Sequence, residues 1–576
     1  MTSPEPDSSK RPRLRRRTRE SAETTASDPR GWQTVGLVAG VAALLLLVGV
    51  LVPAPRVADE AAARVEPVNA SALVCPEPGS TDGSRTTTTV TSIPGFPGQD
   101  RPGEAAITYL EGPDGGAGTE AIDAAEQATG ALATPGDSAQ LIEGTRRLPA
   151  LEIRSLGGLA PGLVAAQTTQ DSFSAGRGLA SVACLGPDTS WWFVGGGSTP
   201  GRDSALVLVN PEDTPADVEV TISGPEGLVQ TPRLRGLVIE PRTRIVVRLS
   251  REAPRLSAAA WRVNVRSGRV VAALADRETD GFVPRGADWI PASTDPSTRV
   301  FIPGIAGGVG SRQLLVHAPG ELSATVRLRL ITAAGAFVPS AVSEIEVPGG
   351  SVVSIAMDDA LQGEDATIDL ISDVPVIAGV RQRHPGVDAA SGSLEELSFA
   401  TGAARIDDVS AVSGLPAERS TAVTVWLTAP GEAPDIQPIS QMMDDMAGPD
   451  EQSASPEATS DDTVPQMSPM TVEPPVSVTL RLYPVGPDGA PLPSPPDITV
   501  SIPRDRLVAV DIPRPEGAVW FTALVTVGDG DVVIAHQSVR RNRDGSLITG
   551  YPWRPLRTTV VVPRAQPAPQ LAVPSP

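Results

Sequence analysis

The chain has 576 residues, with 68 Asp and Glu against 47 Lys and Arg, a formal net charge of −21, 59 Pro, 55 Gly and only 3 % aromatics. That length is too great for one hydrophobic core and implies about three to five domains. An acidic surface repels nucleic acid and anionic glycopolymer, which argues against a nucleic-acid partner.

Residues 1–31 carry eight basic and five acidic side chains, including Lys10 and six Arg between Arg11 and Arg19, a balance of +3 that leaves −24 on the rest. Residues 32–52, Trp32 to Val52, follow without a single charge. Twenty-one residues at about 1.5 Å each span a bilayer core as one helix. The basic run before it, against only the isolated Arg56 and Arg64 just after it, predicts a cytoplasmic N-terminus and an extracytoplasmic remainder. The run is longer than a cleavable signal and lacks a clean small-x-small site, so an uncleaved signal-anchor is the expectation, with cleavage as the alternative. Residues 53–68 read as a juxtamembrane spacer.

From residue 69 the pattern is all-β. Candidate strands at Thr86–Ile93, Ala105–Leu110, Ala150–Ser155, Leu163–Thr168 and Leu179–Leu185 surround one helical candidate, Thr119–Leu132. The chain then repeats. Ala165, Ala272, Ala378 and Ala535 sit in the matching runs Leu163–Ala166, Val270–Ala273, Val376–Gly379 and Val533–His536. Val218–Ile222, Val326–Leu330 and Val478–Leu482 give a second marker, and Phe193 with Phe301 a third; the spacings lie near 107 except before the last copy, where they lengthen to 157 and 152. Alternation such as Trp261-Arg262-Val263-Asn264-Val265 marks half-buried antiparallel strands, and Gly-Pro-rich turns separate them. A repeat of this size fits an immunoglobulin- or fibronectin-like β-sandwich. The reading is therefore four tandem sandwiches on one transmembrane helix, at 69–196, 197–303, 304–412 and 413–563. The last carries an acidic, Met-rich insert at 431–475, expected to be disordered, and 564–576 is an unstructured tail.

Cys75 and Cys184 are the only cysteines, and an exported pair implies a disulfide. Closing so long a loop contributes about 4 to 5 kcal/mol on the chain-entropy model; two buried thiols are the alternative. His317, His384 and His536 occupy different places in their repeats, and no Gly-x-Ser-x-Gly elbow or His-Glu-x-x-His helix is present. The expectation is no catalytic residue, no cofactor and no metal site, with His384 in a turn and His536 facing solvent from a strand. Met442, Met443, Met446, Met467 and Met470 offer thioethers to a soft cation, weighed here against plain compositional bias. Adjacent aromatics on a strand point to opposite faces, so Trp191-Trp192-Phe193 must divide. Matching Phe193 to Phe301 turns Phe193 and Trp191 inward and leaves Trp192 outward, as a surface for a neighbouring domain, a partner protein or a sugar ring.

With Cys75-Pro76, Ala183-Cys184, Trp191-Trp192-Phe193-Val194-Gly195-Gly196-Gly197 and Leu206-Val207-Leu208-Val209-Asn210-Pro211 in this order, the chain resembles an uncharacterised actinobacterial family of membrane-anchored envelope proteins, a domain of unknown function. The resemblance implies an extracytoplasmic location at the cell membrane and carries no catalytic residue. The expected role is non-enzymatic, a scaffold or docking protein for an envelope partner. A module for cell-wall polysaccharide is the alternative, and metal handling by the Met-rich loop a weaker one.

Overall fold

The second module shows how the sequence builds the fold. Its eight main strands are Ser190–Val194, Arg202–Val209, Ala216–Gly224, Leu237–Ile239, Arg244–Arg248, Ala260–Ser267, Val271–Asp280 and Val283–Ile290. They form two antiparallel sheets, with the orders one-six-three-four and five-two-seven-eight, and Gly227–Leu228 extends the third strand as a hairpin. Trp261, Val263 and Val265 alternate along the sixth strand and enter a core shared with Leu206, Leu208 and Leu274 of the other sheet. Period-two patterning thus closes two layers on one interior. Immunoglobulin domains share the adjacent two–five and three–six strand pairs; here the first strand borders the sixth and the seventh borders the second.

The computed structural model describes residues 64–76, 84–110, 128–144, 149–172, 176–385, 394–432, 473–542 and 545–562. Within them the orders one-six-three and five-two-seven-eight recur four times. The first module pairs Ala70–Cys75, Leu151–Gly157 and Gly103–Tyr109 in one sheet, and Ser138–Glu143, Ser84–Ser92, Leu163–Asp171 and Gly178–Ala183 in the other. In the third, the sixth and seventh strands fuse into one 19-residue strand, Ala366–His384, whose two halves serve the two sheets. The fourth begins with Val409–Pro416 and ends with Gly545–Thr549. The Ala markers all fall on seventh strands, and the Val markers on third strands.

Two sequence expectations shift. Ser190–Val194, Ser297–Ile305 and Val409–Pro416 each pair with the sixth strand of the following sheet pair, so each module starts about one strand earlier than the boundaries 196/197, 303/304 and 412/413. The helix expected at 119–132 lies largely outside the described residues, and Thr129–Gly130 is a short edge strand. The expected span 32–52, most of the insert 431–475 and the tail 564–576 also lie outside them. Among the described residues no helix is long and apolar enough to cross a membrane.

The modules do not form a string. All lie within one compact unit, Val65–Val560, and the outer face of each one-six-three sheet packs on the five-two-seven-eight sheet of the next module. Val74, Leu110 and Ala150 of the first meet Val207, Val271 and Trp289 of the second. Trp192, Val194 and Ala260 of the second meet Leu315, Val352 and Ile377 of the third. Phe301 and Ile331 of the third meet Val533 of the fourth. Val409 and Leu524 of the fourth return to Ile93 and Val164 of the first. The same head-to-tail contact, made four times, closes a ring.

The strand directions give the ring two distinct faces. Arg202, at the start of a second strand, lies opposite Glu278, near the end of the seventh. The one–two loops and seven–eight hairpins therefore share one end of each module. First strands start opposite the ends of sixth strands, as in Ala70 with Leu156 and Val409 with Thr526, so the linkers lie at the other end. Val68, where the chain enters, donates its N–H to Thr558 O at 3.0 Å, where the chain leaves. Gly431 and Pro475, which bracket the insert, follow a second strand and precede a third, on that same linker face.

Candidate functional site

Trp192 is not a free surface. The strand Ser190–Val194 does divide its aromatics: Trp191 and Phe193 enter the core of the second module, and Trp191 Nε1 donates to Val270 O at 3.0 Å. Trp192 takes the opposite face, but at 8 % exposure it is sealed in the seam with the third module, with the Arg262 guanidinium 5.1 Å from its ring. The sheet that contains it is covered on both sides, so an outward side chain meets a neighbour rather than solvent. Of the roles weighed for Trp192, packing between modules is the one the geometry provides, at the second-to-third junction. Phe301 fills the corresponding place in the next seam, so its counterpart in position is Trp192, at a spacing of 109, rather than Phe193.

Cys75 and Cys184 form a disulfide. It ties the end of the first strand to the residue just past the eighth, and both sulfurs lie in the core of the first module.

The histidines are buried, and two expectations about them are corrected. His384 ends the long strand and shares a hydrogen bond of 2.8 Å between Nε2 and Ser398 Oγ. His536 lies on a seventh strand, its Nδ1 accepting from Trp553 Nε1 at 3.1 Å while Tyr551 stands edge-on to its ring. Both occupy seventh strands covered on two faces, which removes the solvent they were expected to face. Burial pushes each down to about 3. His317 Nδ1 lies 2.7 Å from Ser351 O, and burial lowers it as well. Among the described residues no group of three His, Cys, Asp or Glu is placed to hold a metal ion; the Met-rich loop lies outside them.

The ring has a polar middle that the sequence did not reveal. The eighth strands, Gly178–Ala183, Val283–Ile290, Glu396–Thr401 and Gly545–Thr549, pack against one another around its axis. Gly286 allows the closest approach: its φ is +118°, and a Cβ there would lie 2.4 Å from Leu397 N. Asp288 and Glu396 are buried among these strands, beside Arg177. A weak signal exists in Gly286-Ala-Asp288-Trp-Ile, where one carboxylate interrupts an apolar strand.

At the hairpin end, Phe282 stands fully exposed at the tip between strands seven and eight of the second module, held at its base by Arg285 with Asp280 at 2.8 Å. Val309, in the one–two loop of the third module, is 80 % exposed on the same face. Arg383, which pairs with Glu278 at 2.5 Å and follows Gln382 in the strand opposite that loop, joins the two modules there.

Residues 113–457, more than half of the chain, match the model of a family described as Family of unknown function (DUF5719). The match begins within the first module and ends within the insert of the fourth. No curated protein matches the chain.

Proposed function

We propose that this chain, which belongs to the DUF5719 family of unknown function, is a non-enzymatic docking protein of a bacterial cell envelope, tethered by residues 32–52 with its ring outside the membrane. The basic run before that span, against only Arg56 and Arg64 in its immediate C-terminal flank, supports the orientation; an actinobacterial source is part of the same reading. Each two-sheet module is taken as a β-sandwich, related to immunoglobulin or fibronectin domains by its layers more than by its strand order.

The observation that carries the reading is the division of the ring into two faces. The chain entrance at Val68, the chain exit at Thr558, the linkers and the two ends of the insert share one. The other presents hairpins and loops, and rigid hairpins on a closed scaffold suit recognition of a partner. An exposed Phe at such a tip is the side chain to anchor it.

The test places a photo-crosslinking residue at Phe282 or at Leu322, an exposed residue in a two–three loop of the linker face. Both are expressed as full-length protein in the native membrane. One envelope protein captured at Phe282 and not at Leu322 supports the reading. Capture from Leu322 alone overturns the assignment of faces, and recovery of cell-wall glycan alone would replace docking by glycan binding.

A further inference from the structure

Two carboxyl groups and one guanidinium are enclosed where the four eighth strands meet. Asp288 is 2 % exposed and joins three modules: its Oδ1 accepts from Ser181 N of the first at 3.1 Å and from its own neighbour Trp289 N at 2.8 Å. Thr549 Oγ1 of the fourth lies 3.1 and 3.2 Å from its two oxygens. Glu396 of the third is 1 % exposed, and its Oε1 accepts from Leu397 N at 3.1 Å and from Ala287 N of the second at 3.4 Å. Among the described residues its Oε2 has no hydrogen-bond partner.

We propose that this axis is a proton-operated latch, in which Asp288 and Glu396 hold the four modules together while both keep their protons and loosen the ring when they ionise.

Glu396 Oε2 meets no hydrogen-bond partner among the described residues and is free to carry a proton. Thr549 Oγ1, which accepts from Ser181 N at 3.0 Å, faces both oxygens of Asp288 and can donate to one while accepting from the other when that carboxyl is protonated. Burial drives both carboxyls well above the usual range, outweighing the backbone N–H groups and the Thr549 hydroxyl that donate to them and favour ionisation, and the Glu396 carboxylate raises the cost of ionising Asp288 further. The charged groups that face them do not cancel this. Arg177 lies near Glu396, but its Nη1 donates to Glu395 O at 3.2 Å and its Nη2 has no partner among the described residues. Glu395 itself is engaged by Arg285 at 2.9 Å, toward the hairpin face. His384, opposite Glu396 in the ladder, stays neutral.

The sign follows from linkage. A carboxyl whose proton is held more tightly in the folded state favours the ring below its unfolded titration range, near about pH 4. That advantage is lost as pH rises toward the folded value. The buried histidines act oppositely, losing stability as pH falls below about 6.5, so only a comparison with neutral isosteres isolates the latch.

The experiment compares hydrogen exchange in Val283–Ile290 and Gly545–Thr549 between the full-length detergent-extracted chain and its Asp288→Asn, Glu396→Gln variant at matched pH. The expected ratio of exchange rates is near one at about pH 4, with the wild type about tenfold faster or more at pH 8, the effect of at least one unit of displacement. A ratio that does not change with pH overturns the latch. Should the double variant fail to fold by circular dichroism, Glu396→Gln alone, which leaves the contacts of Asp288 in place, is measured with the same two outcomes.

Discussion

The seam between the second and third modules and the seam between the fourth and first use the same pair of sheet faces but different chemistry. The former buries Trp192, Val194, Ala260, Leu315, Val352 and Ile377, and adds Glu278 paired with Arg381 and Arg383. The latter is threaded by hydroxyls: Thr91 with Thr522 at 2.8 Å, Thr522 with Ser413 at 3.2 Å and Ser413 with Thr89 at 3.1 Å. Apolar burial is non-directional and tolerates a small slip, whereas a hydroxyl chain is satisfied in one register only. The hydroxyl seam is also the one that no linker bridges: Thr91 and Thr522 are 431 positions apart. Its contacts must bear the entropy of closing the whole chain. The ring is therefore expected to open first between its fourth and first modules.

The largest effect should come from removing the apolar advantage. Trp192→Ala deletes the ring that fills the second-to-third seam and should cost about 3 to 5 kcal/mol, the range for a buried aromatic that leaves a cavity. Read by hydrogen exchange in Gln313–His317 against Thr86–Ser92, the variant should move the first opening to the second-to-third seam. Unchanged exchange in both strands would mean that Trp192 contributes nothing to the seam.

A smaller effect should follow at the closing seam. Thr522→Val keeps the shape and removes the hydroxyl between Thr91 and Ser413, each of which retains one other partner, Ser138 and Thr89. The expected cost is about 1 to 2 kcal/mol, with faster exchange confined to Ser84–Ser92 and Trp520–Val527. A variant as stable as the wild type would show that the apolar contact of Ile93, Val164, Val409 and Leu524 alone closes the ring.

This contrast explains what could be read from the chain itself. Strand positions, the period and the cysteine pair were legible, because alternation and turn chemistry are local signals. The ring was also written in the sequence, though in a different code. Leu206-Val207-Leu208-Val209 and Val533-Ile534-Ala535 are apolar at consecutive positions, a mark of strands buried on both faces. Taken only as a family marker and a repeat marker, they left two-sided burial unread, and with it the enclosure of Trp192, His384 and His536. The match of Phe193 to Phe301 slipped by one residue, and in a strand one residue exchanges core for seam. Asp288 and Glu396 could not be placed at all, since a single carboxylate in a strand has the same local signature whether it meets water or three neighbouring modules.

The smallest predicted effect separates the seams by charge. Glu278 is one-fifth exposed and pairs with Arg381 and Arg383 across the second-to-third seam, while the closing seam is carried by neutral hydroxyls. Partly exposed pairs are screened by salt, and hydrogen bonds between hydroxyls are not. Raising salt from about 0.05 to about 0.5 M should quicken exchange in Gln313–His317 by no more than a few-fold and leave Ser84–Ser92 unaffected. Glu278→Gln should remove that salt dependence, since the amide keeps the shape without the charge. If the variant stays as salt-sensitive as the wild type, the ionic part of the seam belongs to other pairs, and the difference between the two seams rests on Trp192 and its apolar neighbours alone.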